Sequence, residues 1–206
     1  MTAQRAVPLD DPEADVAVSI RRARVTDARS LASLQDRAND GHLSAVRWKR
    51  DGSAWIDVGA HEIAFDQNEM GYSSTIVADR NGLVVGMLNY AANENISASG
   101  SPVDRPFLAL RQAIGSGLYL RSMAVEPRYG GRGIASLLLD TAANAARAMN
   151  AAAIGVIVHE RNERLIRHYL ARGYVPTSEE RVVRHHSYPT GTKLVALRLS
   201  LNEREH

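Results

Sequence analysis

The stretch LYLRSMAVEPRYGGRGIA, Leu118 to Ala135, carries the residues best suited to chemistry. Aliphatic positions run up to a break at Pro127; Gly130, Gly131 and Gly133 follow with Arg128 and Arg132 interleaved, and an Ala/Leu-rich helical pattern takes over. A strand, a glycine turn and a helix start leave the first helical amides without acceptors, at the positive end of the helix dipole. Such a turn holds a phosphate or another anion. A P-loop nucleotide site would need a lysine followed by Ser or Thr, and the stretch has no lysine. A dinucleotide fingerprint needs a third glycine and a place early in a repeated βαβ fold. Here Gly131-x-Gly133 stands alone and follows an antiparallel hairpin pattern.

The surrounding elements must position that turn. Val16 to Val25 alternates as a first strand, Thr26 is a reasonable N-cap, and Ala28, Leu31, Leu34 and Ala38 line one side of a helix. A second helix is expected over Ser53 to Asp66. Tyr72 to Ala78 and Leu83 to Ala91 are apolar runs joined by Asp79, Arg80, Asn81 and Gly82, and the Asn-Gly pair signals an antiparallel hairpin. Asn93 to Gly117 reads as an insertion, with a short amphipathic helix around Phe107, Leu108, Leu110, Ala113 and Ile114. Ile134 to Met149 is helical, Ala153 to Val158 is a strand buried on both faces, and Asn162 to Ala171 is a further helix ended by Gly173. Tyr174 to Val183 and Lys193 to Leu201 are strand-like. This order predicts an α/β chain of the α+β sandwich type. Its central sheet is mixed and mostly antiparallel, with flanking helices and a parallel crossover around the glycine turn.

Composition narrows the classes. A chain of 206 residues with 45% apolar side chains suffices for one core, so residues 17–206 are expected to form a single domain behind a flexible tail at 1–16. No long apolar run exists and the N-terminus is acidic, so neither a membrane span nor a secretory signal is expected, and a cytoplasmic location is the default. With no cysteine, disulfides, thiolate metal sites and cysteine nucleophiles are excluded. Charges of both signs are mixed around a net +2, and no basic tract or RNA motif points to nucleic acid. His185, His186 and Tyr188 cluster in the last turn, with His159 and His168 elsewhere. Adjacent residues of an extended chain point to opposite faces and no carboxylate spacing accompanies them, so no metal site is expected.

Two stretches together resemble the GNAT superfamily of acyl-CoA-dependent N-acyltransferases, in the manner of its bacterial general acetyltransferases. VEPRYGGRGIA, Val125 to Ala135, is similar to the family's acyl-CoA signature, except that Gly130 stands where Arg or Gln is usual. NERLIRHYLARGY, Asn162 to Tyr174, resembles its second motif through Asn162, Tyr169, Gly173 and Tyr174, with Leu165 replacing an alanine. The resemblance implies that the fourth strand splays from the fifth, and that pantetheine lies in the gap against main-chain groups near Met123 and Val125. The amides of Arg128 to Ala135 (Gly130, Gly131, Arg132, Gly133 and Ile134 among them) would hold the pyrophosphate. Arg128 and Arg132 either add side-chain charge or stand solvated on the turn. Asn162 would bond the pantetheine arm, serve as a helix N-cap, or both.

By the same resemblance Tyr169 is the general acid that protonates the departing CoA thiolate, its alternative being plain core packing. Acetyl-CoA is then the co-substrate, and the partner is a small-molecule amine or a protein or peptide amine. Dimerisation is common in such folds. A glutamate that often serves as base is replaced by Tyr119, leaving Glu62, Glu69, Glu94, Glu126 or ordered water as candidates. Without a cysteine, direct transfer in a ternary complex is preferred to an acyl-enzyme. The alternative reading is a catalytically weak or inactive acyl-CoA-binding module.

Overall fold

Asn81 and Gly82 both adopt positive φ, 51° and 85°, the conformation a two-residue hairpin demands. They join β2, Thr75–Arg80, to β3, Leu83–Ala92, in an antiparallel pair. Asp79 and Arg80, expected in the turn, pair with β3 instead, because so short a loop lets the ladder run to its edge. At the other end Tyr72–Ser74 forms a 3-10 turn, and the ladder begins only at Thr75, whose hydroxyl donates to the Gly71 carbonyl at 3.0 Å.

The computed structural model describes residues 17–41, 43–49, 54–66, 69–94, 105–182 and 193–201. The expected tail and the turn bearing His185, His186 and Tyr188 lie outside them. Seven strands form one sheet in the order β1-β2-β3-β4-β5-β7-β6. The others are β1, Ser19–Arg22; β4, Leu118–Val125; β5, Ala153–His159; β6, Val175–Arg181; and β7, Lys193–Ser200. Among the described residues only β4 and β5 pair in parallel, which is the architecture the element order predicts. Helix α1, Ala28–Ala38, covers β3 and β4 on one face with α2, Trp55–Phe65, packed against it, and α3, Arg105–Ile114, covers β5 to β7. On the other face lie α4, Ile134–Ala148, and α5, Glu163–Leu170. Among the described residues no helix is long and apolar enough to cross a membrane.

Thr26 does not cap the first helix. It is exposed inside a 3-10 turn, Val25–Asp27, and the Asp27 carboxylate accepts the Arg24 N–H at 2.7 Å. Arg21 holds the same carboxylate at 2.7 Å and reaches Asp79 at 2.7 Å, tying β1 to the hairpin. Two glycines set helix approach. At Gly155 on β5 a Cβ would overlap Ile114 Cγ2 of α3, and at Gly86 on β3 it would lie 3.2 Å from Ile134 Cγ2 of α4. Their missing side chains let both helices sit close to the sheet.

Candidate acyl-CoA site

β4 and β5 face each other at only three positions, Leu118 with Ile154, Tyr119 with Gly155 and Leu120 with Val156. β4 continues to Val125, while β5 stays with β7 as far as His159 opposite Leu194. Past Leu120 the two strands diverge. The register of β4 against β3 slips at the same place: Tyr90 faces Leu120 and Asn89 faces Ser122, so Arg121 is an extra residue. A bulge bends its strand and increases local twist, which accounts for the departure.

The splay exposes backbone. Glu126 N–H donates to Val85 O at 2.8 Å, and hydrogen-bonded positions alternate along an antiparallel pair. The N–H and C=O groups of Met123 and Val125 therefore point away from β3, to the side β5 has left. They form an open strand edge that an extended amide chain can pair with.

The glycine turn lies just beyond. Pro127–Tyr129 is a 3-10 turn, Gly131 has φ 75° and Gly133 φ 79°, and Gly133 is the residue before α4. Those two glycines adopt left-handed backbone that side chains disfavour. Gly130 does not: φ −62° and ψ 149° are open to any residue, although a Cβ there would lie 3.1 Å from the Pro127 carbonyl oxygen. Gly133 offers no side-chain cap to the first amides of α4. Arg128 and Arg132 stack over the Tyr129 ring, at 4.9 and 5.7 Å from its centroid. A third guanidinium, from buried Arg80, lies 5.3 Å from the same ring and donates to Tyr129 Oη at 3.1 Å. Cations within about 6 Å of an aromatic face are held by its quadrupole, so the two loop arginines are ordered around Tyr129. The sequence reading assigned Arg80 to a loop; its one signal was a place beside the Asn-Gly turn.

Across the splay, Asn162 caps α5: its Oδ1 accepts the Leu165 N–H at 3.2 Å, leaving the side-chain amide N–H groups as further donors. Tyr169 is 1% exposed and packs edge-on against Tyr174 at 5.0 Å. Burial foremost, with Tyr174 and Tyr119 adding to it, holds its phenol well above the ordinary value. The side chain thus keeps its proton through any physiological pH.

Three of the four acids considered as bases, Glu126, Glu62 and Glu69, are engaged by arginines. Glu126 faces Arg37 at 3.7 Å, and Glu62 accepts from Arg47 Nε at 2.9 Å and Trp48 Nε1 at 3.2 Å. Glu69 meets Arg121 and, at 3.8 Å, Arg111, while Glu94 is exposed at the end of a described segment. Tyr119 is buried beneath the Arg111 guanidinium, 4.7 Å from its ring, and burial pushes its phenol up to about 12. At neutral pH Tyr119 is no base either. Among the described residues no three His, Asp or Glu side chains gather as for a metal.

This arrangement matches known proteins. The acetyltransferase (GNAT) family model matches residues 37–174. The fold is similar to that of yncA from Salmonella typhimurium, solved with acetyl-CoA, at TM-score 0.58 and 17% identity over 92% of this chain and 97% of that one. It is similar to a polyamine N-acetyltransferase of Drosophila melanogaster, at TM-score 0.62 and 17% identity over 90% and 100%. It is similar as well to a ribosomal-protein-alanine N-acetyltransferase of Brucella melitensis, at TM-score 0.61 and 18% identity over 89% and 99%. No curated protein matches the chain in sequence.

Proposed function

Because this chain belongs to the acetyltransferase (GNAT) family, we propose that it moves an acetyl group from acetyl-CoA to a primary amine by direct attack in a ternary complex. The observation that carries the reading is the splay: an unpaired β4 edge at Met123 and Val125 runs into a glycine turn ringed by arginines.

In this reading the main-chain groups of Met123 and Val125 pair with the pantetheine amides. The amides of Arg128 to Ala135, through Gly130, Gly131, Arg132, Gly133 and Ile134, take the pyrophosphate, with the Arg128 and Arg132 guanidinium groups beside it. Asn162 donates to the pantetheine arm through its side-chain amide while its oxygen caps α5. Acetyl-CoA supplies the activated acyl group. Tyr169, protonated at neutral pH, hands its proton to the departing sulfur. Glu62, Glu69 and Glu126 are ion-paired, so the acceptor ammonium loses its proton through water.

The test is release of free CoA thiol from acetyl-CoA by the full chain with a panel of primary amines, followed by mass analysis of the amine. Amine-dependent release and a product heavier by one acetyl group are expected. Tight acetyl-CoA binding without turnover on any amine overturns the transfer reading in favour of a binding module.

A further inference from the structure

Beside Tyr119, where β4 bulges away from its neighbours, two arginines from different elements converge. Arg121 is the extra residue of the bulge, and Arg111 comes from the last turn of α3. Their side chains are only 25% and 16% exposed, yet they share one carboxylate, that of Glu69, which is 50% exposed. Arg111 is also fixed in direction: its Nε donates to Asn93 Oδ1 at 3.0 Å, and its plane lies over the Tyr119 ring. Asn93 is itself buried and donates to the Arg111 and Gly115 carbonyls at 2.8 and 2.7 Å, so the receptor is built before any ligand arrives. Among the described residues, Arg47 adds further positive potential at Arg121, though its own partner is Glu62.

A half-exposed glutamate between two largely buried guanidinium groups is a displaceable occupant of a carboxylate site. Forked guanidinium donors match a carboxylate geometrically, and immobilising them beforehand lowers the cost of binding. The site adjoins the proposed reaction centre, because Tyr119 faces Gly155 at the paired position next to the splay.

We propose that the acceptor is an amino-carboxylate, whose amine faces the splay while its own carboxylate replaces Glu69 between Arg111 and Arg121. This rests on the acyl-transfer reading above. A polycationic amine would instead bring its second charge against the two arginines, a like-charge contact that selects against it.

The experiment compares kcat/KM of the full chain for α-amino acids, their α-carboxamides, spermidine and agmatine, at saturating acetyl-CoA. The acids are expected to exceed their carboxamides by at least about tenfold, one strong charge-assisted contact. Arg121→Gln should abolish that ratio while leaving acetyl-CoA affinity in place. Glu69→Gln, which removes the competing carboxylate and leaves both arginines, should lower KM for the acids. Equal rates on acids and carboxamides, or turnover of the cationic amines alone, overturn the proposal and spare the acyl-transfer reading. Absence of turnover on every amine overturns both.

Discussion

Leu120 and Val156 are the last residues of β4 and β5 to face one another, and the residue after Leu120 is the extra one of a bulge. One added residue in β4 thus coincides with the opening of the sheet. The bulge keeps β4 registered to β3 while its outer edge parts from β5, so the gap opens without leaving β3 and β4 unpaired. The edge of β4 runs directly into the glycine turn beyond it.

Replacing Tyr169 with Phe keeps the edge-on packing against Tyr174 and removes the proton. Turnover is expected to fall about a hundredfold, with acetyl-CoA affinity and thermal stability nearly unchanged. Steady-state kinetics beside calorimetric binding checks this, and an unaltered kcat removes the acid role. Burial raises this phenol, so its proton stays bound as the pH passes the ordinary value of about 10. The wild-type rate should therefore show no alkaline loss attributable to Tyr169 at that pH.

Tyr129→Phe leaves the ring that Arg128 and Arg132 stack on, but deprives buried Arg80 of the Oη acceptor. Losing one partner of such a bond costs about 1–3 kcal/mol. Stability should fall by that order in denaturant unfolding. If Arg80 orders the glycine turn through Tyr129, KM for acetyl-CoA rises several-fold with kcat little changed; a KM that does not move makes the contact purely structural.

Gly155→Ala puts a methyl group into Ile114 of α3. Overpacking of this kind costs about 1–3 kcal/mol, and a drop of several degrees in Tm is expected. Ile114→Ala removes the overlapping Cγ2, so the cost of Gly155→Ala should shrink in that background.

The ion cluster of Arg21, Asp27 and Asp79 gives stability a pH signature. Burial by itself would raise the Asp27 carboxyl, but hydrogen bonds from Arg21 and the Arg24 amide outweigh it and the net shift is downward. Asp79 is lowered chiefly by the Gly82 N–H, then by Arg21. A carboxyl that ionises more readily folded than unfolded contributes fully above the unfolded value of about 3.9, and that contribution is lost as pH falls through the folded value. Asp27→Asn should therefore cost about 1–3 kcal/mol at neutral pH, and the gap to wild type should close in acid. Urea titrations at a series of pH values measure it; a gap independent of pH refutes the linkage.

What was legible in the sequence rested on local conformational rules. Asn81-Gly82 needs two positive φ angles, Gly133 opens a helix, Gly173 at φ 85° closes one, and the Ala/Leu-rich pattern from Ile134 marks α4 as a helix, although Leu137 on it is exposed. Each is settled by a few neighbouring residues. The strand order's one parallel pair followed as well, because a strand–helix–strand crossover permits no other pairing.

Tertiary structure alone decided the rest. Nothing local marks Arg121 as a bulge, since the slip exists only in register against β3. Arg80 and Tyr129 are far apart in the chain and meet because the end of β2 reaches the glycine turn. Arg111, Glu69 and Arg121 come from three separate elements. The elevated phenols of Tyr119 and Tyr169 depend on burial that no spacing encodes. Sequence pattern fixes the periodicity of an element, whereas electrostatics and site shape arise from which faces the packed sheet brings together.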